Sequence, residues 1–321
     1  MKSTKIFLLC SVCALFFAVT ANAQDINQAI EFYNKGAEAV LAKDWATAIS
    51  QYNKALTVLD ELGAEGGEEG EEMTFKIKEV IPNLHLFLGK DLAVASKIEE
   101  AIVELNKAIE KAEEYDDFGT AALEAKKLID QLNFATAKAL FDDKNYEEAI
   151  SAFNKVLEAE PNNGTAYFII GASYAALNNE TQAIVAYEKA IEMGNKDAAS
   201  RLANIYLTQA QNAMKDQKWQ NMYDLSTKAA VIAPDNANVV KFIGIAAFQL
   251  KKYNEAIPAL EKTLAANPNA ADKNGTIYRL AQAFEAQNKN SQACGYYKQL
   301  LNDANYKQMA EHKIKNVLKC P

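Results

Sequence analysis

Arginine is nearly absent from this chain of 321 residues, in which Arg201 and Arg279 are the only two copies. Lysine and arginine together number 34, against 42 aspartates and glutamates, so the formal net charge is −8 at pH 7. Proteins that bind nucleic acid or anionic lipid through charge carry clusters of basic side chains. We therefore expect no nucleic acid among the partners of this acidic chain.

Histidine is equally scarce, because the chain contains only His85 and His312. Neither belongs to an H-E-x-x-H helix or to a cysteine and histidine spacing that would hold a metal, and no nucleophile elbow or Walker loop occurs. His85 falls at a packing position of a helical pattern, which favours a core or edge histidine over a ligand. The sequence predicts a non-enzymatic protein without catalytic residues, cofactor or metal site.

Long apolar runs are missing except near the start, where Ile6 to Val19 follows Lys2 and Lys5 and precedes Ala21-Asn22-Ala23. This layout is typical of a secretory signal peptide, with cleavage between Ala23 and Gln24. The run is shorter than the roughly 20 residues that a membrane-spanning helix needs. We expect an exported protein, periplasmic or secreted, with no integral membrane segment in the mature chain.

A lipoprotein is the nearest alternative to a simple signal peptide, because Cys10 follows Leu8 and Leu9. Leu9 is bulkier than the small residue of a lipobox, and cleavage there would split the apolar run. Cys10 and Cys13 form a C-x-x-C, but both lie in the predicted leader. Its removal takes two of the 34 basic residues and none of the 42 acidic ones, which leaves a formal charge of −10.

A pattern of small residues runs through the rest of the chain. A small residue is followed twelve positions later by a second one, and four positions after that by an aromatic or aliphatic residue. The first positions are Gly36, Gly89, Ala137, Gly171, Ala210, Gly244 and Ala281. The second positions are Ala48, Ala101, Ala149, Ala183, Met222, Ala256 and Ala293. Glycine and alanine let two helices cross closely, so the pattern predicts repeated helix pairs.

Two spacings between successive copies are 34 positions, from Ala137 to Gly171 and from Ala210 to Gly244. Aromatic residues open the second helical patterns at Trp45, Tyr146, Trp219 and Tyr253, and prolines close units at Pro161, Pro234 and Pro268. In these features the chain resembles the tetratricopeptide repeat family. The resemblance implies an all-α fold, a right-handed superhelical solenoid of about seven helix pairs with a C-terminal capping helix.

The pattern also sets the predicted boundaries. They are a signal peptide over 1–23 and a solenoid over 24–321, divided into repeat 1 (29–62), an acidic Gly/Glu loop and linker (63–81), repeat 2 (82–115), repeat 3 with an extended first helix (116–163), repeat 4 (164–195), repeat 5 (196–236), repeat 6 (237–270), repeat 7 (271–303) and a capping helix (304–321). Glycines and repelling carboxylates between Gly63 and Glu72 favour a flexible solvated loop.

Cys294 and Cys320 are the two cysteines outside the leader, and an even count in an exported chain suggests a disulfide. The helices that carry them would bring both to one end of the array. Cys320 nevertheless overshoots Cys294 by several residues of helix, against a Cα separation limit of about 7 Å. The sequence leaves both the bonded and the free state open.

The resemblance implies that first helices line the inner face of the solenoid and contact its ligand. The corresponding positions are Phe134, Lys138, Phe141, Phe168, Leu207, Gln211, Met214, Lys241, Ile245, Phe248, Tyr278 and Gln282. This set is unusually apolar, which indicates either a binding patch or burial against neighbouring helices. The lysine and asparagine clamp with which some family members hold a peptide carboxylate is not present at these positions.

Three functions are compatible with the sequence. The first is a scaffold in the cell envelope that binds a protein or peptide in its groove, through an apolar or aromatic segment. The second is a structural or self-assembling subunit of an envelope complex. An enzyme is the third, and no motif supports it.

Overall fold

The computed structural model describes residues 24–115 and 119–321. The predicted leader, 1–23, lies outside this range, and so does the 116–118 segment of predicted repeat 3. The described residues are α-helical with no strand among them, and none of their helices is long and apolar enough to cross a membrane. This confirms the all-α prediction.

The helices follow one another through short turns. They are α1 (Gln24–Leu41), α2 (Trp45–Leu62), α3 (Gly67–Val94), α4 (Ile98–Glu114), α5 (Ala121–Asp142), α6 (Tyr146–Ala159), α7 (Gly164–Ala176), α8 (Glu180–Glu192), α9 (Lys196–Lys215), α10 (Trp219–Ile232), α11 (Ala237–Gln249), α12 (Tyr253–Ala266), α13 (Lys273–Ala286), α14 (Asn290–Gln299) and α15 (Lys307–His312).

Contacts divide the chain into two compact units, one ending at Asp142 and the other beginning at Asp143. The first contains α1 to α5 and the second contains the rest. Within them, first and second helices pack in pairs, and each pair packs on the next. The two helices of predicted repeat 3, α5 and α6, therefore fall in different units.

The turn inside each helix pair has a common geometry. Seven positions after each small residue of the pattern, a residue other than glycine takes a positive φ; these residues are Lys43, Ser96, Lys144, Asn178, Gln217, Lys251 and Asn288. After α7, the amide of Asn179 donates to the carbonyl of Tyr174 at 2.9 Å and that of Asn178 to Ala175 at 3.1 Å. These two hydrogen bonds form a Schellman motif, a helix end that requires one residue in the left-handed conformation.

The small residues lie where paired helices cross. A Cβ built on Gly171 would stand 2.8 Å from Cδ1 of Tyr187, and one on Gly89 would stand 2.7 Å from Cγ of Leu105. In each case the contact is with the residue sixteen positions later, the third position of the pattern. All seven second positions are fully buried: Ala183, five other alanines, and Met222 in the fifth pair. The pattern thus places both small residues in the packed interior.

The fifth pair, α9 and α10, departs from the predicted pattern. Its third position is Ser226 rather than an aromatic or aliphatic residue, and its second is Met222 rather than a small one. Both are fully buried, and the Ser226 hydroxyl donates to the Met222 carbonyl at 2.7 Å. In this pair the second position has the large side chain and the third position has the small one, so the volume between α9 and α10 is still filled.

The acidic segment from Gly63 to Glu72, expected to be a flexible loop, is helical, which corrects that prediction. Gly63 and Gly67 take positive φ values around a short 3-10 turn, and α3 begins at Gly67. From there Met73 and Ile77 are fully buried in the core of the first unit. Burial of this apolar stripe outweighs the repulsion among the exposed carboxylates, because the carboxylates occupy the other faces of the helix.

The end of the chain also differs from the single capping helix expected over 304–321. The α-helix α15 stops at His312 and continues as a π-helix over Lys313–Val317. Cys294 and Cys320 form a disulfide with their Cα atoms 5.8 Å apart. The early end of α15 and the wider turn shorten the path to Cys320, whose amide donates to the Ile314 carbonyl. The overshoot expected for one continuous α-helix therefore does not arise.

Candidate functional site

A groove of about 780 Å³ lies in the second unit, between the first helices of three successive pairs. Helices α9, α11 and α13 form it, together with the turns before α13 and before α15. Its lining residues are Asn204, Leu207, Thr208, Gln211, Met214, Asn238, Lys241, Phe242, Ile245, Ala271, Asp272, Asn274, Gly275, Arg279, Asp303, Asn305 and Tyr306. The volume falls in the range of ligand-binding clefts in proteins.

Five of the residues expected to contact a ligand line this groove: Leu207, Gln211, Met214, Lys241 and Ile245. Spacings of three and four positions bring them to one face of α9 and of α11. They belong to successive first helices, which pack side by side. The structure therefore brings these five together.

Four other candidate residues in the second unit lie outside the groove lining and pack within the array. The Phe168 ring lies 5.8 Å from that of Tyr187, and the Phe248 ring lies 6.1 Å from that of Tyr253. The Tyr278 ring lies 5.1 Å from the Tyr306 ring, and its hydroxyl accepts from the Gln282 amide at 2.9 Å. Each of the three rings therefore packs against an aromatic ring of another helix or turn.

The remaining three candidates lie on α5, in the first unit. Phe134 and Phe141 are half-buried, and Lys138 is exposed and pairs with Asp142 at 2.5 Å. They do not belong to the groove of the second unit.

The groove is more polar than the predicted contact set. Leu207 and Ile245 are 8% and 6% exposed, so most of their apolar surface is taken up by packing between helices. Exposed amides of Asn204, Gln211 and Asn238 stand beside them. Burial of the aliphatic stripe, the second interpretation offered by the sequence, therefore holds for these two residues.

Several groove residues were not predicted from the sequence, some because they lie one turn before the predicted contacts and others because they lie directly beside them. Asn204, Asn238 and Gly275 each precede the small residue of their pair by six positions, and Thr208 and Arg279 precede it by two. A signal was available, since asparagine at the same position of two successive pairs is polar on a face otherwise expected to pack. The residues of the two turns, among them Asp303 and Tyr306, had no comparable signal.

Two carboxylates in the groove have internal donors. Asp272 pairs with Lys241, and this bond holds the pKa of Asp272 below its usual range. Asp303 accepts from the side-chain amide of Asn274 at 2.5 Å and from the backbone amides of Asn305 and Tyr306. These bonds, chiefly that from Asn274, lower the pKa of Asp303. Both groups are thus anionic at neutral pH and already hydrogen-bonded.

His85 lies in the first unit and has a structural environment. It is 6% exposed, and its Nδ1 is 2.7 Å from Oε2 of Glu104. Burial lowers the pKa of His85, and this effect outweighs the attraction of the Glu104 carboxylate. Across residues 24–115 and 119–321, no group of three or more histidine, cysteine, aspartate or glutamate side chains is arranged to hold a metal ion.

Comparison with known families finds three matches to models described as tetratricopeptide repeat, over residues 134–213, 242–270 and 276–304. The matches fall in predicted repeats three to seven, where the groove lies. Over these residues the chain has the sequence pattern of tetratricopeptide repeats. The common turn and the close crossing at Gly36 and Gly89 extend the same geometry to the helix pairs before the matched residues.

Individual relatives of this repeat chain are distant. Anaphase-promoting complex subunit 6 of Arabidopsis thaliana is 28% identical over 170 residues, which are 52% of this chain and 30% of that protein. The chain thus spans less than a third of that relative. Among solved structures, YrrB, described as a TPR protein with an unusual peptide-binding site, is 18% identical and covers 61% of this chain and 97% of its own, with a TM-score of 0.36. The TPR domain of P58(IPK) is 16% identical and covers 91% and 98%, with a TM-score of 0.30.

Proposed function

We propose that the protein is an exported, non-enzymatic scaffold that binds a peptide or protein segment in the groove of its second unit. The observation that supports this most is the groove itself, which three successive first helices line and which presents side-chain amides to solvent. Asparagine and glutamine amides donate and accept at once, so they match the backbone of an extended peptide. Tetratricopeptide repeats make the same use of their first helices in the family that the sequence resembles.

Site-directed photo-crosslinking in the native host would test this function. A photoreactive residue replaces Gln211, which is exposed in the groove, and in a matched variant it replaces Gln220, which is exposed on α10 outside the groove lining. We expect a discrete adduct from position 211 and none from position 220. Equal adducts at both positions, or none at either, would remove the groove from consideration.

The cell envelope is the proposed location, because the leader over 1–23 has the layout of a signal peptide. Fractionation of the host, with the intact mass of the purified protein, tests both parts of the proposal. The expected mass is that of a chain beginning at Gln24, recovered outside the cytoplasm. A cytoplasmic protein that retains Met1 to Ala23 would overturn it, and a lipid-modified cysteine would establish the alternative anchor.

A structural subunit of an envelope complex is the alternative function, and apolar exposure in the first unit favours it. Phe75 is 69% exposed beside a hollow of about 310 Å³ at the start of α3, and Leu123 on α5 is 71% exposed. Exposed apolar surface of this kind occurs at protein contacts. Light scattering of the purified protein over a range of concentrations distinguishes the two, because self-assembly predicts a mass that rises with concentration.

A further inference from the structure

The groove of the second unit contains a small cradle around Gly275. A Cβ built on this glycine would stand 3.3 Å from Nη1 of Arg279 and 3.4 Å from the hydroxyl oxygen of Tyr306. Two side-chain donors, one from α13 and one from the turn before α15, therefore converge on a stretch of backbone that carries no side chain. All three residues are half-buried and line the groove.

Neither donor has a hydrogen-bond acceptor within the part of the chain that the structure describes. The two carboxylates that line the groove are engaged by other residues, Asp272 by Lys241 and Asp303 by Asn274 and two backbone amides. Arg279 lowers the pKa of Asp272 through space but forms no ion pair with it. The Arg279 guanidinium is thus a charged group with several hydrogen-bond donors and no partner among the described residues. The chain has only one other arginine.

The chemistry of these donors selects the ligand group. A guanidinium stays protonated at all relevant pH values and has a planar set of donors that matches the two oxygens of a carboxylate. A phenol hydroxyl adds a further donor, and the bare Gly275 leaves room for the ligand to approach. The rim of the cradle at Ala271 and Asn305 is exposed, so a peptide chain can continue past it on the solvent side.

We propose that Arg279 and Tyr306, on either side of Gly275, bind the side-chain carboxylate of a glutamate or aspartate in a peptide that occupies the groove. The inference rests on the proposed function and makes it narrower, because it names the residue type that the groove selects. The amides of Asn204 and Asn238 would then bind the neighbouring peptide backbone.

The two-arginine composition allows a direct test by NMR. In the full chain labelled with 15N-arginine, the side-chain Nε region shows one signal each for Arg201 and Arg279, assigned with Arg279→Gln. The probe is the capped pentapeptide acetyl-Ala-Ala-Glu-Ala-Ala-amide, compared with its glutamine counterpart. A third peptide has the glutamine sequence and a free terminal carboxylate.

We expect the glutamate peptide to shift the Arg279 signal saturably and to leave the Arg201 signal in place. The glutamine peptide should bind about tenfold more weakly, a difference of about 1.4 kcal/mol, since a hydrogen bond to a charged group is stronger than one to a neutral amide. Gly275→Ala and Tyr306→Phe should weaken binding of the glutamate peptide by several fold. Arg201→Gln, the matched control, should leave it unchanged, and circular dichroism verifies that each variant is folded.

Three results would overturn the inference: an Arg279 signal that does not move, equal affinity for the glutamate and glutamine peptides, or binding of the free terminal carboxylate alone. Equal affinity accompanied, in a uniformly 15N-labelled sample, by shifts of the Asn204 and Asn238 side-chain amides would leave the proposed function intact and remove only the carboxylate. No binding of any peptide, together with no crosslink from position 211, would remove both.

Discussion

Gly171 on α7 faces the ring of Tyr187 on α8 so closely that no side chain fits between them. A Cβ at position 171 would lie 2.8 Å from Cδ1 and 2.9 Å from Cε1 of the ring, well inside van der Waals contact. Tyr187 is 2% exposed and packed on all sides, so it has little room to move. The same relationship, between residues sixteen positions apart, recurs at Gly36, Gly89 and Gly244.

Gly171→Ala should therefore destabilise the second unit, by about 1 to 3 kcal/mol, the usual range for overpacking in a core. Gly295→Ala on α14 is the matched control, because nothing lies within 4 Å of a Cβ there. That change should stabilise the protein by up to about 1 kcal/mol, since alanine favours a helix over glycine. Urea denaturation measures both, and equal effects of the two changes would contradict the crossing geometry.

The left-handed turn residues lead to a second prediction. Lys251 has a φ of 59°, a conformation that costs roughly 1 to 2 kcal/mol in residues other than glycine. Lys251→Gly should leave stability unchanged or raise it slightly, because the relief of strain offsets the greater freedom of the unfolded chain.

The control for this change is Lys262→Gly, at an exposed position inside α12, which should cost about 1 kcal/mol. Thermal melts of the two variants beside the unaltered protein provide the measurement. A loss at position 251 as large as that at position 262 would show that the turn does not carry the strain.

Cross-linking by Cys294 and Cys320 should stabilise the end of the second unit. The disulfide closes a loop of 26 positions, for which chain entropy predicts a contribution of about 3 kcal/mol. The double variant Cys294→Ala, Cys320→Ala should lose about this amount, and the unaltered protein in reductant should match it.

Hydrogen exchange over α15 locates the effect. Faster exchange confined to Lys307–His312 and the following residues is the expected result. The ion pair of Lys313 with Glu285, at 2.6 Å, and the bond from the Tyr297 hydroxyl to the same carboxylate do not involve the disulfide. A variant with unchanged melting and unchanged exchange would mean that these contacts alone hold the segment.

Stability should fall with acidification because of His85. Burial lowers the pKa of His85 in the folded state below the unfolded value of about 6.5. The unfolded chain therefore binds the proton more readily, so the contribution of His85 is complete above about pH 6.5 and is lost as the pH falls through the folded pKa.

Titration of the two histidines by NMR tests this directly, with His312 resolved through a His312→Gln variant. The expected pKa of His85 is below 6.5, and the difference in unfolding free energy between the protein and His85→Gln should change between pH 7.5 and pH 5. A His85 pKa at or above the unfolded value would show that the Glu104 carboxylate, and not burial, dominates.

The helix pairs, their register and the close crossings could be predicted from the residues alone, because these features depend on side chains within one repeat. Gly171 and Tyr187 are sixteen positions apart, and their volumes match wherever the pair folds. The same local logic placed Leu207, Gln211 and Lys241 on one face. It failed for the glycine and glutamate segment after α2, where composition favoured a loop but the burial of Met73 and Ile77 produced a helix.

Packing between helices sets which surface is open and which charges are left without a partner. The burial of Leu207 and Ile245, the pairing of Lys241 with Asp272 and the closeness of Cys294 and Cys320 all depend on how one element packs against another. Arg279 and Tyr306 meet at Gly275 for the same reason. Helical periodicity sets the direction of a side chain on its own helix, whereas its neighbours across a groove are set by distances that no local pattern contains.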